Sequence, residues 1–305
     1  MQARGDTQRE PGLNRYLRLR KRLSPLFLLP LVGGFFLMRV NQLAGMALLT
    51  AALVESYVSS RMRRTRDLDD TGFGLHGAGI ETAAGFGLGA ILMALMIGIL
   101  AVAGWYRVFV PRSGITAGGF AYWLALFALV GVLEELLSRG MLFRFLERRA
   151  GSAFALAASS LVFGLLHVPN PNSSVWAGVA IALHAGVLLG AAYMLTRRLW
   201  LAIGIHWSWN FVQGPVFGAP VSGQNQPSLL DSAARGPEIL TGGPFGPEAG
   251  LVSVVVGAAA GLLLLVLAIK RGRWVPSSQG LGWRRKKNGD PSPAPPPEER
   301  ASPAP

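Results

Sequence analysis

Two glutamates stand side by side in an apolar run, Gly131-Val-Leu-Glu-Glu-Leu-Leu-Ser-Arg139, and between Glu81 and Asp231 the only other acid is Glu147. A carboxylate at the centre of a membrane helix costs about 2.5–3.5 kcal/mol on insertion scales, so an adjacent pair there implies a function that needs them. On a helix, consecutive residues point about 100° apart, so Glu134 and Glu135 need separate partners. Arg139 follows Glu135 by four residues, on the same face, where it can hold that carboxylate ionised. Glu134 has Gly131 and Ser138 three and four residues away, small neighbours that leave room for water or substrate. That setting suits a general base.

Two further polar sets follow, Phe163-Gly-Leu-Leu-His167 and His206-Trp-Ser-Trp-Asn210. His206 and Asn210 are four apart and stack on one helical face. If the glutamate helix continues through Met141–Arg149 and the chain turns at Ala150-Gly151, Glu134 lies 15 residues before Arg149 and His167 lies 15 after Ser152. Antiparallel neighbours so joined bring Glu134 and His167 to one level, about 22 Å from the turn. His206 starts only about 12 Å from Arg197-Arg198, so the levels agree only if the first turn projects into the cytosol.

The elements that must hold these groups are membrane helices. A 305-residue chain that is 51% hydrophobic and 15% charged, with apolar runs throughout, reads as a polytopic, all-α integral membrane bundle. Its net charge of +13 comes from short basic clusters flanking apolar runs, a pattern of cytosolic membrane flanks that argues against nucleic-acid binding. Absence of cysteine excludes disulfides, thiolate metal sites and cysteine nucleophiles.

Residues 1–22, with seven Lys or Arg, form a basic cytosolic lead-in. The apolar stretch 23–60, broken by Arg39 and Asn41, reads as a hairpin of two short spans. It is expected to be retained, because its basic lead-in is long and no small-residue cleavage site follows. Further spans are expected near 82–104, 118–140, 153–168, 175–195, 199–217 and 251–269, about eight transmembrane helices in all. Basic groups at residues 61–66, 144–149, 197–198 and 270–273 then share one side, with both termini cytosolic. Residues 218–250, rich in Gly and Pro, form an opposite-side loop, and 270–305 a basic tail with seven prolines after residue 290, too poor in apolar side chains to bury a core.

The motifs Glu134-Glu135-x-x-x-Arg139, Phe163-x-x-x-His167 and His206-x-x-x-Asn210, in this order on successive apolar helices, resemble those of the CAAX-processing and bacteriocin-processing (CPBP, or Abi) protease family. The similarity runs over about 66–269, leaving the N-terminal hairpin and the tail outside, and the stretches 209–214, 217–223 and 240–248 look like a bacterial branch, hence a bacterial cell membrane. The resemblance implies an intramembrane endopeptidase whose site opens toward the cytosol. By it, Glu134 with His167 activates water, His206 and Asn210 stabilise the oxyanion, and Arg139 acts through Glu135. The implied partners are the lipid bilayer and a peptide substrate, lipidated or otherwise membrane-associated.

A zinc alternative stays open, since Glu134, His167 and His206 match a three-ligand catalytic site with one open position. The metal-free reading, with no cofactor, is preferred; no His-Glu-x-x-His run is present. In another class altogether, the same charges could form the relay of a transporter, but paired halves with interrupted helices are not visible. An inactive membrane scaffold is the third option. His184, mid-helix without a partner at helical spacing, reads as packing, and His76 as non-catalytic. Gly72-Phe-Gly-Leu-His-Gly77 matches a dinucleotide fingerprint only formally, because no strand precedes it and no βαβ unit follows.

Overall fold

The computed structural model of the chain describes residues 28–111 and 114–277, apart from residues 39 and 66. The basic lead-in 1–22 and the Pro-rich part of the tail lie outside the described residues. Helix α1 (Leu28–Leu37) turns into α2 (Gln42–Thr65), whose start is capped by Asn41 Oδ1 accepting from Ala44 N at 3.0 Å. After α3 (Ala78–Val102) and strand β1 (Tyr106–Phe109), Thr116 caps α4 (Ala117–Glu135) by accepting from Gly119 N. That helix does not stop at the paired glutamates. It widens into a π-helical stretch, Leu136–Phe143, and resumes as α5 (Arg144–Leu165).

The turn expected at Ala150-Gly151 is made by Gly151 alone, at φ 82°, ψ 174°, a conformation closed to residues with a Cβ. Helix α6 (Val175–Ile181), capped by Ser174, widens in the same way over Ala182–Gly186 before α7 (Val187–Thr196). Helix α8 (Trp200–Phe211) ends in a third π turn, Val212–Val216. A loop carrying β2 (Asp231–Ala234) and α9 (Glu238–Thr241) leads to α10 (Leu251–Lys270).

Among the described residues five helical runs are long and apolar enough to cross a membrane, against the eight or so spans read from hydropathy. The difference has local causes. Helix α1 has ten residues, α8 has twelve before its π turn, and the two spans expected at 118–140 and 153–168 belong to one run, Ala117–Leu165, broken only at Gly151. Two short strands also appear where none was expected: β1 and β2 pair antiparallel from Tyr106↔Ala234 to Phe109↔Asp231. Four-residue strands so far apart in sequence carry no readable alternation.

Helices α3 and α8 pack through Gly85, Gly89 and Gly204, where any Cβ would collide with the facing backbone; this close approach is how membrane helices gain contact without a hydrophobic drive between them. Gly164 and Gly178 do the same for α5 and α6. The basic segments converge on one end of the bundle. Arg144 bonds the Asp70 carbonyl and the Tyr193 hydroxyl, Arg197 pairs with Glu147 at 2.6 Å, Arg198 pairs with Glu81, and Ser152 N donates to Val275 O at 2.8 Å. The glycine-rich stretch before α3 is part of this end: Gly72 O accepts from Leu199 N and Gly74 O from the Trp200 indole. The β1–β2 pair and the 218–250 loop close the other end, where the Tyr106 hydroxyl donates to Thr241 O at 3.2 Å.

Candidate active site

Glu134 and Glu135 occupy the last turn of α4, where the helix begins to widen. Glu135 is fully buried, and its Oε1 accepts from Arg139 Nη1 at 2.9 Å. The same oxygen lies 3.0 Å from His206 Nδ1. Arg139, also fully buried, donates Nη2 to Gly186 O at 3.1 Å, and its guanidinium carbon sits 4.5 Å from the centre of the Phe163 ring. That carbonyl belongs to the π turn between α6 and α7, where the widened helix leaves acceptors for a partner from another helix.

Glu134 is one-third exposed and faces two imidazoles, with His206 Nε2 3.8 Å and His167 Nε2 4.0 Å from its Oε2. Each ring is turned by a bond at its other nitrogen. His206 Nδ1 meets the Glu135 carboxylate, and His167 Nδ1 donates to Phe163 O at 2.8 Å, which leaves both Nε2 atoms aimed at one oxygen. Separations of 3.8 and 4.0 Å are too long for direct hydrogen bonds and fit a bridging water. Phe163 spaces the two rings, edge-on to His206 and tilted against His167. Asn210, one turn beyond His206, faces the same cavity of about 330 Å³.

All six residues singled out in the sequence therefore sit in or directly behind one cavity. His184 packs its ring against Trp209, with Nδ1 bonded to Ala180 O at 2.7 Å, and also contributes to the cavity wall. His76 is exposed in the turn before α3. Zinc bonds of about 2.0–2.1 Å at tetrahedral angles would put ligand atoms about 3.4 Å apart. The two measured edges are 3.8 and 4.0 Å, and among the described residues no group of three or more His, Cys, Asp or Glu is arranged to hold a metal.

Residues 116–212, which carry all of these motifs, match the family model described as type II CAAX prenyl endopeptidase Rce1-like. This segment of the chain is similar to a family of CAAX-type membrane endopeptidases. No curated protein and no solved structure matched it. That segment contains Glu134, Glu135, Arg139, His167, His206 and Asn210, and among the described residues five helical runs are long and apolar enough to cross a lipid bilayer.

Part of the cavity comes from outside that segment and was not read from the sequence. Gln42 and Met46 of α2 line it, as do Ser222, Gln224 and Glu248 of the long loop. Glu248 is buried, accepting from Ser222 N at 2.6 Å and Ser222 Oγ at 2.9 Å. Its only signal was an acid in a loop otherwise read as a connector. Burial pushes its carboxyl above the usual range, although His167 and the Ser222 bonds pull the other way. A raised folded-state pKa favours the fold below the unfolded value, and that contribution is lost as pH rises through the folded one. Glu248→Gln keeps the acceptor but cannot ionise. Thermal unfolding of the purified protein should show the variant more stable than the parent at pH 8 and equal to it at pH 4; an equal gain at both would disprove a buried charge as the cause.

Proposed function

We propose that the Rce1-like protease hydrolyses peptide bonds of membrane-associated or lipidated substrates with a water activated by Glu134, without a metal. The approach of both Nε2 atoms to Glu134 Oε2, at 3.8 and 4.0 Å, supports this reading. A water held between these atoms loses a proton to the Glu134 carboxylate as its oxygen bonds the scissile carbonyl carbon. The carbonyl oxygen becomes an oxyanion, which the Nε2–H of a doubly protonated His206, its Nδ1–H held by Glu135, and the Asn210 amide stabilise as donors, each contributing about 3 kcal/mol in a dry site. Collapse of the adduct breaks the C–N bond, and the leaving amine takes the proton that Glu134 received. His167 shares the water with Glu134, while Glu135 and Arg139 act at one remove by fixing the His206 ring. The protein sits in a bacterial cell membrane with both termini cytosolic.

A single turnover in 18O-labelled water separates this chemistry from a covalent route. Direct attack puts one labelled oxygen into the new carboxyl group in the first turnover. A first product whose new oxygen is unlabelled would mean that Glu134 attacked as a nucleophile and gave up its own oxygen when water opened the mixed anhydride at the Glu134 carbon, and the general-base reading would fall. Metal content is measured on the same preparation, and stoichiometric zinc lost in Glu134→Gln would overturn the metal-free assignment.

A further inference from the structure

The cavity has a direction. At its inner end are Glu134 and buried His206; at its outer end are exposed Gln42 and Gln224, with Asn170, Ser222 and Glu248 along the way. Gln42 is the first residue of α2, and Arg63 and Arg64 lie in the last turn of the same helix. Twenty-one residues separate Gln42 from Arg63, about 32 Å of helix, the thickness of a bilayer's hydrocarbon core. The loop holding Gln224 and Glu248 is tied to β1, which follows the far end of α3, by pairing with β2 and by the Tyr106 bond to Thr241. Asn170 lies in the turn after α5, whose other end, Arg144 to Ser152, is bonded into the basic cluster. No side chain of that basic end lines the cavity.

Charge decides which face each end meets. The arginines of α2, those of residues 144–149 and 197–198, and Lys270, Arg271 and Arg273 all lie at one end. The other end holds, among the described residues, Arg107 and Arg235 together with Asp231, Glu238 and Glu248. An excess of Lys and Arg beside span ends marks the cytosolic side. We infer that the cavity opens to the extracytoplasmic face, so that the substrate is a peptide segment presented from that side and not a lipidated C-terminus offered by the cytosol. This reverses the cytosolic opening implied by the family resemblance, and it rests on the reading of Glu134 as the catalytic centre. It also gives the N-terminal hairpin a part in the site, since Gln42 and Met46 form one wall of the route, with Gln42 held by the Tyr122 hydroxyl at 3.1 Å.

The cysteine-free chain suits a direct test, because any introduced thiol is unique. Gln42→Cys and Gln224→Cys probe the mouth from two different elements, and Arg63→Cys probes the opposite end. Intact cells are treated with a membrane-impermeant maleimide. Labelling of both mouth variants, with Arg63→Cys labelled only after permeabilisation, is expected; the opposite pattern overturns the orientation. The labelled proteins are then assayed for peptide cleavage in detergent. A bulky adduct at either mouth position should abolish cleavage, whereas the adduct at residue 63 should leave it intact. Full activity of both labelled mouth variants would overturn the route. Undiminished cleavage by Glu134→Gln in the same assay would instead remove the catalytic reading, while the labelling pattern would still report the membrane orientation.

Discussion

Glu134→Gln should lower kcat about 10²–10⁴-fold while leaving KM nearly unchanged, the range a positioned general base contributes. That loss corresponds to about 2.7–5.5 kcal/mol of transition-state stabilisation. Glutamine keeps the shape of the side chain and its place opposite His167 and His206, so substrate binding is preserved; what it lacks is a site for the proton of the attacking water. An equal fall in kcat and kcat/KM is the signature of an interaction made only in the transition state. Stability should be little affected, because Glu134 is one-third exposed and makes no short hydrogen bond in the described structure. Glu134→Asp keeps the base but shortens its reach by one methylene, and should retain part of the activity. Steady-state cleavage of a peptide by the purified variants, with their unfolding curves alongside, checks all of this. Undiminished turnover by Glu134→Gln would remove it from the chemistry.

What was legible in the sequence follows the range of the interactions involved. Arg139 and Glu135 are four residues apart on one helix, so their pairing is local and could be read from spacing. The meeting of Glu134 with His167 depended on one hairpin with a glycine turn, and counting residues on either side of Gly151 was enough. The bond from His206 to Glu135 was not legible, because it joins helices far apart in sequence and depends on which imidazole nitrogen faces which carboxylate. The three π-helical stretches were also missed. The stretches stay largely apolar, so hydropathy does not separate them from the flanking α-helix, and their sequence traces are single residues such as Gly140, Gly186, Gly214 and Pro215. Gln42 and Glu248 escaped for a third reason: each sits at the edge of an element that hydropathy classified as a plain span or a plain loop. The mouth of the cavity is built from such edges, so sequence reached the polar residues at its inner end and not the way in.

Arg139→Leu should cost about 3–5 kcal/mol of stability, the usual result of removing one partner of a buried ion pair. Arg139 and Glu135 are both fully buried, and no other Lys or Arg among the described residues is paired with this carboxylate. The guanidinium also holds Gly186 O and lies on the Phe163 ring, so its loss loosens the join between α4 and α7 and the ring that spaces the two histidines. Arg139→Lys would keep the charge but not the fork, and a single ammonium cannot serve Glu135 Oε1 and Gly186 O in the same geometry. The double variant Arg139→Leu with Glu135→Leu separates the contributions. Removing both charges together is often close to neutral for folding, so it should recover most of the lost stability. It should not recover cleavage, because His206 Nδ1 then has no carboxylate to hold its ring and the Nε2 atom loses its aim at the substrate. Chemical unfolding and peptide cleavage measured on the same three proteins give the answer. A double variant as unstable as Arg139→Leu would mean that the bonds to the 185–186 carbonyls, and not the ion pair, carry the stability; a double variant that cleaves normally would free His206 from any need of Glu135.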